Sequence, residues 1–222
     1  VKRTRAQQAE RDAWQERRAW PVVVLGVDPG AVAGAAIVAP DTASGRVVEA
    51  SVVDPMTTEL EDVVHRALDL AAGRDMELVL ALEDWGSGGM MHIDTWLGLG
   101  AARGHWERVA RMLAPSTPRL VASRCCLRIR MTMWRSFMIP ESGTRDAEGK
   151  FTRYDTEGWK KAATARLAEL QPHVSLERAD AAEASLLGLY AIRSDEVGRR
   201  LPDRTLRAHG FDVAATRAMM KA

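Results

Sequence analysis

Cysteine is nearly absent. The chain has two, Cys125 and Cys126, side by side. Adjacent cysteines do not readily reach the geometry of a mutual disulfide, and one such pair matches no zinc-ligand spacing. Both read as free thiols of a reducing cytoplasm. Long apolar runs are missing as well: nothing approaches the roughly 20 residues needed to span a bilayer. The first residues are charged and polar, so no secretory signal is read there. Net charge is almost nil at +1, and no internal repeat is visible. What remains is an ordinary globular composition. The 222 residues are 46% hydrophobic and 27% charged, enough for one domain with tails and a real core.

The small net charge hides a strong asymmetry. Residues 54–84 carry nine acids against two arginines, whereas residues 103–135 carry eight arginines against one acid, Glu107. The first twenty residues are basic too. A basic surface beside a carboxylate cluster suits an enzyme that cuts a polyanion: arginines attract phosphates and carboxylates hold a cation. Charge alone fits solvated helices equally well.

The order of elements narrows the fold. Residues 3–19 read as a polar helical extension. Strands are expected over 22–28, 34–39 and 46–53, with turns at Pro29-Gly30 and Asp41 to Gly45, so the three form an antiparallel meander. Thr57 or Thr58 is expected to cap a helix over 59–72, where Leu60, Val63, Val64, Ala67, Leu68 and Ala71 keep helical spacing, and Gly73 to end it. "ELVLALE", 77–83, is a fourth strand, followed by a Gly-rich loop, 86–92, and a helix over 94–113. "RLVA", 119–122, reads as a fifth strand, and Ser123 as the cap of a helix over 124–134. Residues 138–153 read as a loop. Asp155 is a cap candidate for the helix "DTEGWKKAATARLAEL", and 178–193 is a final, more apolar helix. The last thirty residues are basic and weakly patterned. Three antiparallel strands followed by strand–helix alternation predict an α/β domain, a mixed five-stranded sheet flanked by helices. That order resembles the ribonuclease H-like fold, though pattern alone leaves other α/β folds open.

Four acids break apolar patterns. Asp28 ends the first strand and Glu83 the fourth. Asp180 and Glu183 lie three apart on the last apolar helix and so share a face. Carboxylates near a buried helix face need a positive partner, from a side chain or a metal ion. Clustered carboxylate oxygens are a hard-ligand set for Mg²⁺ or Mn²⁺. Two such ions about 4 Å apart bind both sides of a phosphodiester. Each acid also has a plainer reading: Asp28 before Pro-Gly as a turn former, Glu83 as the start of a loop, Asp180 as a helix N-terminal acid.

The local words agree with a known family. "GVDPG", 26–30, "ALEDW", 81–85, "LGLGAARG", 97–104, and "RADAAEASLLGLYA", 178–191, occur in that order. Together they resemble the motifs of the RuvC family of Holliday junction resolvases over about residues 22–193. Glu183 stands where the family usually has Asp, and the third word lies slightly further downstream than usual. The resemblance implies a ribonuclease H-like nuclease domain over 22–193, with a basic extension over 1–21 and a basic tail over 194–222. It implies Asp28, Glu83, Asp180 and Glu183 as catalytic metal ligands, with two Mg²⁺ ions per site, Mn²⁺ as a substitute, and Asp28 bridging the ions. The implied reaction is hydrolysis of symmetric strands of branched DNA by a homodimer in a bacterial or phage-infected cytoplasm. It leaves 5′-phosphate and 3′-hydroxyl ends, with no membrane and no small-molecule cofactor involved.

The resemblance also implies an aromatic near residues 86–96 that stacks on bases: Trp85 or Trp96 is expected to serve, or Met90-Met91 as an apolar wedge, with Arg103, Arg124, Arg128 and Arg135 as phosphate contacts. Trp106, Val109 and Met112–Leu113 are candidates for the dimer face. Other readings are a YqgF-type nuclease acting on RNA, a non-catalytic junction binder, and the sugar-kinase and actin superfamily. The last needs a duplicated fold that 222 residues do not supply.

Overall fold

The run Val22–Val27 is apolar at every position, which a strand tolerates only when both its faces are covered. In the computed structural model it is the central strand of such a sheet. The structure describes residues 4–16, 18–30, 32–54, 57–84, 93–113, 126–145, 148, 151–176 and 178–221. Strands β1 (Val22–Asp28), β2 (Ala33–Ala39), β3 (Arg46–Val53), β4 (Glu77–Asp84) and β5 (Cys126–Arg130) form one sheet in the order β3-β2-β1-β4-β5. The meander β1-β2-β3 is antiparallel, while β4 and β5 run parallel to β1. This is the mixed, helix-flanked sheet expected.

Period-two alternation splits the strand side chains between two cores. Val23, Leu25 and Val27 of β1, with Leu78, Leu80 and Leu82 of β4, pack under helix α2 (Glu59–Gly73). Val22 and Val24, with Val79, Ala81, Leu127 and Ile129, pack on the other face under helix α6 (Ala179–Ala191). Between α2 and α6 in chain order lie α3 (Ile93–Leu113), α4 (Met131–Met138) and α5 (Thr156–Leu170). The buried face of α2 is the expected set, Leu60, Val63, Val64, Ala67, Leu68 and Ala71. Its ends differ. Thr58 sits at the N-cap without a side-chain cap bond, Gly73 remains helical, and Asp75 takes the left-handed turn at φ 56°.

Helix α6 lies directly on the sheet because two glycines face it. A methyl group at Gly26 would overlap the carbonyl oxygen of Ala184, and one at Gly34 would overlap that of Asp180. Both glycines therefore set how closely the Asp180–Glu183 turn approaches the end of β1. Gly34→Ala is expected to push this turn off the sheet, lowering stability by about 1–3 kcal/mol. Any metal-dependent rise in Tm should shrink with it, which thermal melts with and without Mg²⁺ measure.

Three expectations need correction. Residues 126–130, expected within a helix over 124–134, form strand β5. "CLRIR" alternates, with Leu127 and Ile129 buried and Arg128 and Arg130 exposed, and the helix begins only at Met131. The expected strand 119–122 and cap Ser123 lie outside the described residues. Within 138–153, Gly143–Arg145 (β6) and Phe151–Arg153 (β7) pair as an antiparallel ribbon. Trp106 and Val109, offered as dimer-face residues, are buried at 0% and 1% exposure in the α2-side core. The side chains of Met112 and Leu113 lie outside the described residues.

The terminal segments pack on each other. Helix α1 (Arg5–Glu16) leads to Arg18, whose guanidinium lies 3.3 Å from the Trp14 ring centroid and 3.9 Å from that of Trp20. Arg18 also bonds Asp195 at 3.1 Å. Residues 194–221 form α7 (Asp195–Arg200), α8 (Asp203–Ala208) and α9 (Val213–Lys221), and their Val197, Leu201, Leu206 and Met220 join the α6-side core. No helix of the described residues is long and apolar enough to cross a membrane.

Candidate metal centre

The alternation that builds the cores also aims the acids. Along β1 the residues Val22, Val24, Gly26 and Asp28 share one face, and along β4 so do Val79, Ala81 and Glu83. Both series face α6. The strands are parallel, with Val27 opposite Leu82, so Asp28 and Glu83 end side by side at the carboxyl edge. Above them α6 brings down Asp180 and Glu183. Carboxylate oxygens of Asp28, Asp180 and Glu183 all lie within 4.8 Å of one another. Glu83 lies deeper, against Asp28, and is 1% exposed.

Three cations and one indole hold this cluster. Arg135 of α4 donates from Nη2 to Glu183 Oε1 at 2.5 Å and lies 3.9 Å from Glu83 Oε1. Trp134 donates from Nε1 to Glu83 Oε1 at 2.8 Å. Lys160 of α5 donates from Nζ to Asp180 Oδ1 at 2.6 Å, and Arg178 Nη2 is 3.3 Å from Asp180 Oδ2. Glu83 Oε2 is buried and meets no donor among the described residues.

The electrostatics are those of too many carboxylates in too little water. Burial, and then the charge of Glu83, push the Asp28 carboxyl well above the usual carboxylate range. Burial raises Glu83 as well, against the pull of Arg135. Burial and the charge of Asp28 raise Glu183 to about 7, although Arg135 and Lys160 oppose the rise. A carboxyl with a raised folded pKa binds more protons folded than unfolded as pH climbs from about 4 to 7, so stability falls over that window. Without metal, the melting temperature is expected to drop between pH 5 and pH 8, with Glu183 alone contributing on the order of 3 kcal/mol. Adding Mg²⁺ should flatten the profile; calorimetry across that range, with and without Mg²⁺, checks both.

The donor set fits a hard divalent cation. It is carboxylate oxygen throughout, one buried oxygen meets no donor among the described residues, and the raised pKa values mark repulsion that a cation relieves. The acids border a cleft of about 660 Å³ that Tyr154, Trp159, Lys160 and Arg178 also line.

The other expected site residues are placed differently. Arg103 bonds Asp84 at 3.0 Å. Arg128, exposed on β5, forms a two-pronged pair with Glu107 at 2.9 and 3.1 Å. Arg135 turns into the acid cluster rather than outward. Trp85, Met90, Met91 and Arg124, and the side chain of Trp96, lie outside the described residues. Sequence reasoning missed Trp134 and the role of Arg178, and offered Lys160 with Lys161 only as a DNA-facing or solvated pair. Only the helical register of "GWKK" against the cap Asp155 hinted otherwise, since it puts Lys160 one turn into a helix whose Ala163 and Leu167 are buried.

No protein-family model matches the chain, and no curated protein matches it. Solved structures do. One is T. thermophilus RuvC in complex with a Holliday junction substrate, 18% identical, with TM-score 0.48, over 78% of this chain and 95% of that one. A second is the yeast mitochondrial Holliday junction resolvase Ydc2, 10% identical, with TM-score 0.43, over 97% of this chain and 92% of that one. These two chains are what it is similar to, while the fold and the chemistry rest on the residues described above.

Proposed function

We propose that the chain is a structure-selective endonuclease that resolves Holliday junctions and related branched DNA by metal-dependent hydrolysis. The observation that carries this reading is the meeting of Asp28, Asp180 and Glu183, from a strand end and a helix, over a buried Glu83. Burial keeps the pKa values of Asp28 and Glu183 raised despite the charge of Arg135, and the set opens on a cleft that Lys160 and Arg178 line. Asp28, Glu83, Asp180 and Glu183 would hold the metal. Bound there, Mg²⁺, as two ions with Mn²⁺ as a substitute, supplies an activated water and charge stabilisation at the leaving 3′-oxygen. Trp134 and Arg135 fix the two glutamates. Lys160 and Arg178, on the cleft side, attract the phosphodiester. The products are a 5′-phosphate and a 3′-hydroxyl, and the working form is a homodimer, since a four-way junction offers two symmetric strands.

Arg103, Arg124 and Arg128 complete the reading as phosphate contacts. Arg103 and Arg128 each exchange an acidic partner for a phosphate on binding. Replacing both with Ala is expected to weaken junction binding and to reduce the salt slope by about two. An unchanged slope would return them to a structural role.

The test of the reading uses a synthetic four-way junction, a linear duplex and a single strand, each with Mg²⁺ or EDTA. Selective, Mg²⁺-dependent nicking of the junction is expected. Equal cutting of all three, or no cutting by folded protein, would contradict it.

A further inference from the structure

We infer that Tyr154 and Trp159 form a stacking platform for an unpaired nucleobase beside the phosphate to be cut, an inference that rests on the nuclease reading above. Both residues line the same cleft as Asp28, Asp180 and Glu183. Their rings meet edge to face, with centroids 5.3 Å apart and planes at 73°. Among the described tryptophans, Trp20, Trp106 and Trp134 are at most 1% exposed, while Trp14, packed on Trp20 and Arg18, is half-buried. Tyr154 and Trp159 are only half-buried.

The pair is held in place before any ligand arrives. Asp155, between them in sequence, caps α5 by accepting from the Gly158 amide at 2.7 Å. Tyr154 donates its own amide to the Ser142 carbonyl at 3.1 Å, tying it to the base of the β6-β7 ribbon. Trp159 packs against the α6-side core, and the Arg135 guanidinium carbon lies 5.3 Å from its ring centroid. The residue after Trp159 is Lys160, which bonds Asp180. An aromatic face and a cation bound to the acid cluster are therefore neighbours on one rigid helical turn. The ring, the lysine and the acids line one cleft, so a base on the ring and a phosphate at the acids would share it. A cleft of about 660 Å³ lies within the usual size of small-ligand sites.

A paired duplex keeps its bases stacked and offers no free π-face. A branch point does. The platform therefore adds selectivity for branched over continuous DNA, independently of base identity, because every base has a π-face.

The test couples the ring to the base. Four-way junctions carry a single abasic nucleotide on either side of the mapped cut, or 2-aminopurine at the same positions. Trp159→Leu keeps apolar bulk against the core but has no π-face, and Trp159→Phe restores one. In wild type the abasic site on the stacked side should slow single-turnover cutting roughly fivefold or more. Trp159→Leu should slow the intact junction similarly and gain no further loss from the abasic site, while Trp159→Phe recovers most of the rate. In metal-free buffer, binding should quench 2-aminopurine for wild type and Trp159→Phe but not for Trp159→Leu. An unchanged Mg²⁺-dependent rise in Tm shows that the variant keeps its fold and acid cluster. If wild type fails to cut but the quench depends on the ring, the nuclease reading falls and the platform stands. Equal quenching by all three proteins, no quenching by any, or losses that multiply would overturn the platform.

Discussion

Asp28→Asn is expected to bind four-way junctions as wild type does and to cut them at least about a thousandfold more slowly, since a metal centre supplies several kcal/mol of transition-state stabilisation. The substitution keeps the shape of the side chain and removes its charge. Asp28 is the acid that the other three surround: it lies against Glu83 and shares the cluster with Asp180 and Glu183. Its own pKa is raised by burial and by Glu83, so the unliganded fold gains by losing this charge. Metal-free Asp28→Asn should therefore melt no lower than wild type, and its melting temperature should respond less to Mg²⁺. Single-turnover cleavage, a gel-shift titration and calorimetry measure the three quantities. A parallel loss of binding and cutting would argue that Asp28 shapes the site rather than holding a metal.

Arg135→Met is expected to have the largest effect on stability. Arg135 is the charge that reaches into the buried glutamates, 2.5 Å from Glu183 and 3.9 Å from Glu83. Both acids are at most 2% exposed. Removing one partner of a buried ion pair costs about 3–5 kcal/mol, because the remaining charge has nowhere to go. The loss should be large at pH 8 and smaller at pH 5, where Glu183, with its pKa of about 7, is protonated. Mg²⁺ should recover part of it, because a bound cation replaces the missing charge. Denaturant melts at both pH values, with and without Mg²⁺, separate these contributions. A loss independent of both pH and Mg²⁺ would reduce Arg135 to a packing residue against Trp134 and Trp159.

What the sequence disclosed follows from how local each signal is. β1, β2, β3 and β4 are short apolar runs bounded by turn residues, and α2 has a clean apolar stripe, so each is legible within a few residues. The acid set was legible because Asp28 and Glu83 each end an apolar strand and Asp180 and Glu183 sit three apart. β5 was misread because "CLRIR" is five residues long, and Arg124, Arg128 and Arg135 around it fit a helical spacing. Only pairing with Leu80–Asp84 decides it. Arg135 was read as facing DNA because its basic neighbours suggested one surface. The fold turns it inward, where two glutamates from β4 and α6 converge. Lys160, Arg178 and Trp134 reach the site from three separate elements, and no window of sequence contains that meeting. The terminal segments read as a basic extension and a basic tail because their apolar residues are weakly patterned. The pairing of Arg18 with Asp195, and of Trp20 with the Ser194 carbonyl at 2.7 Å, spans the whole chain.

The central claim is that the four carboxylates are a divalent-metal centre. The most direct measurement is anomalous scattering from crystals soaked in Mn²⁺, with Asp28→Asn crystals as the control. The account predicts a Mn²⁺ peak in contact with the carboxylates of Asp28, Asp180 and Glu183 in wild type and a weakened or absent peak in the variant. Crystals without such a peak, in which Arg135 and Lys160 keep their bonds to Glu183 and Asp180 at saturating Mn²⁺, would contradict it.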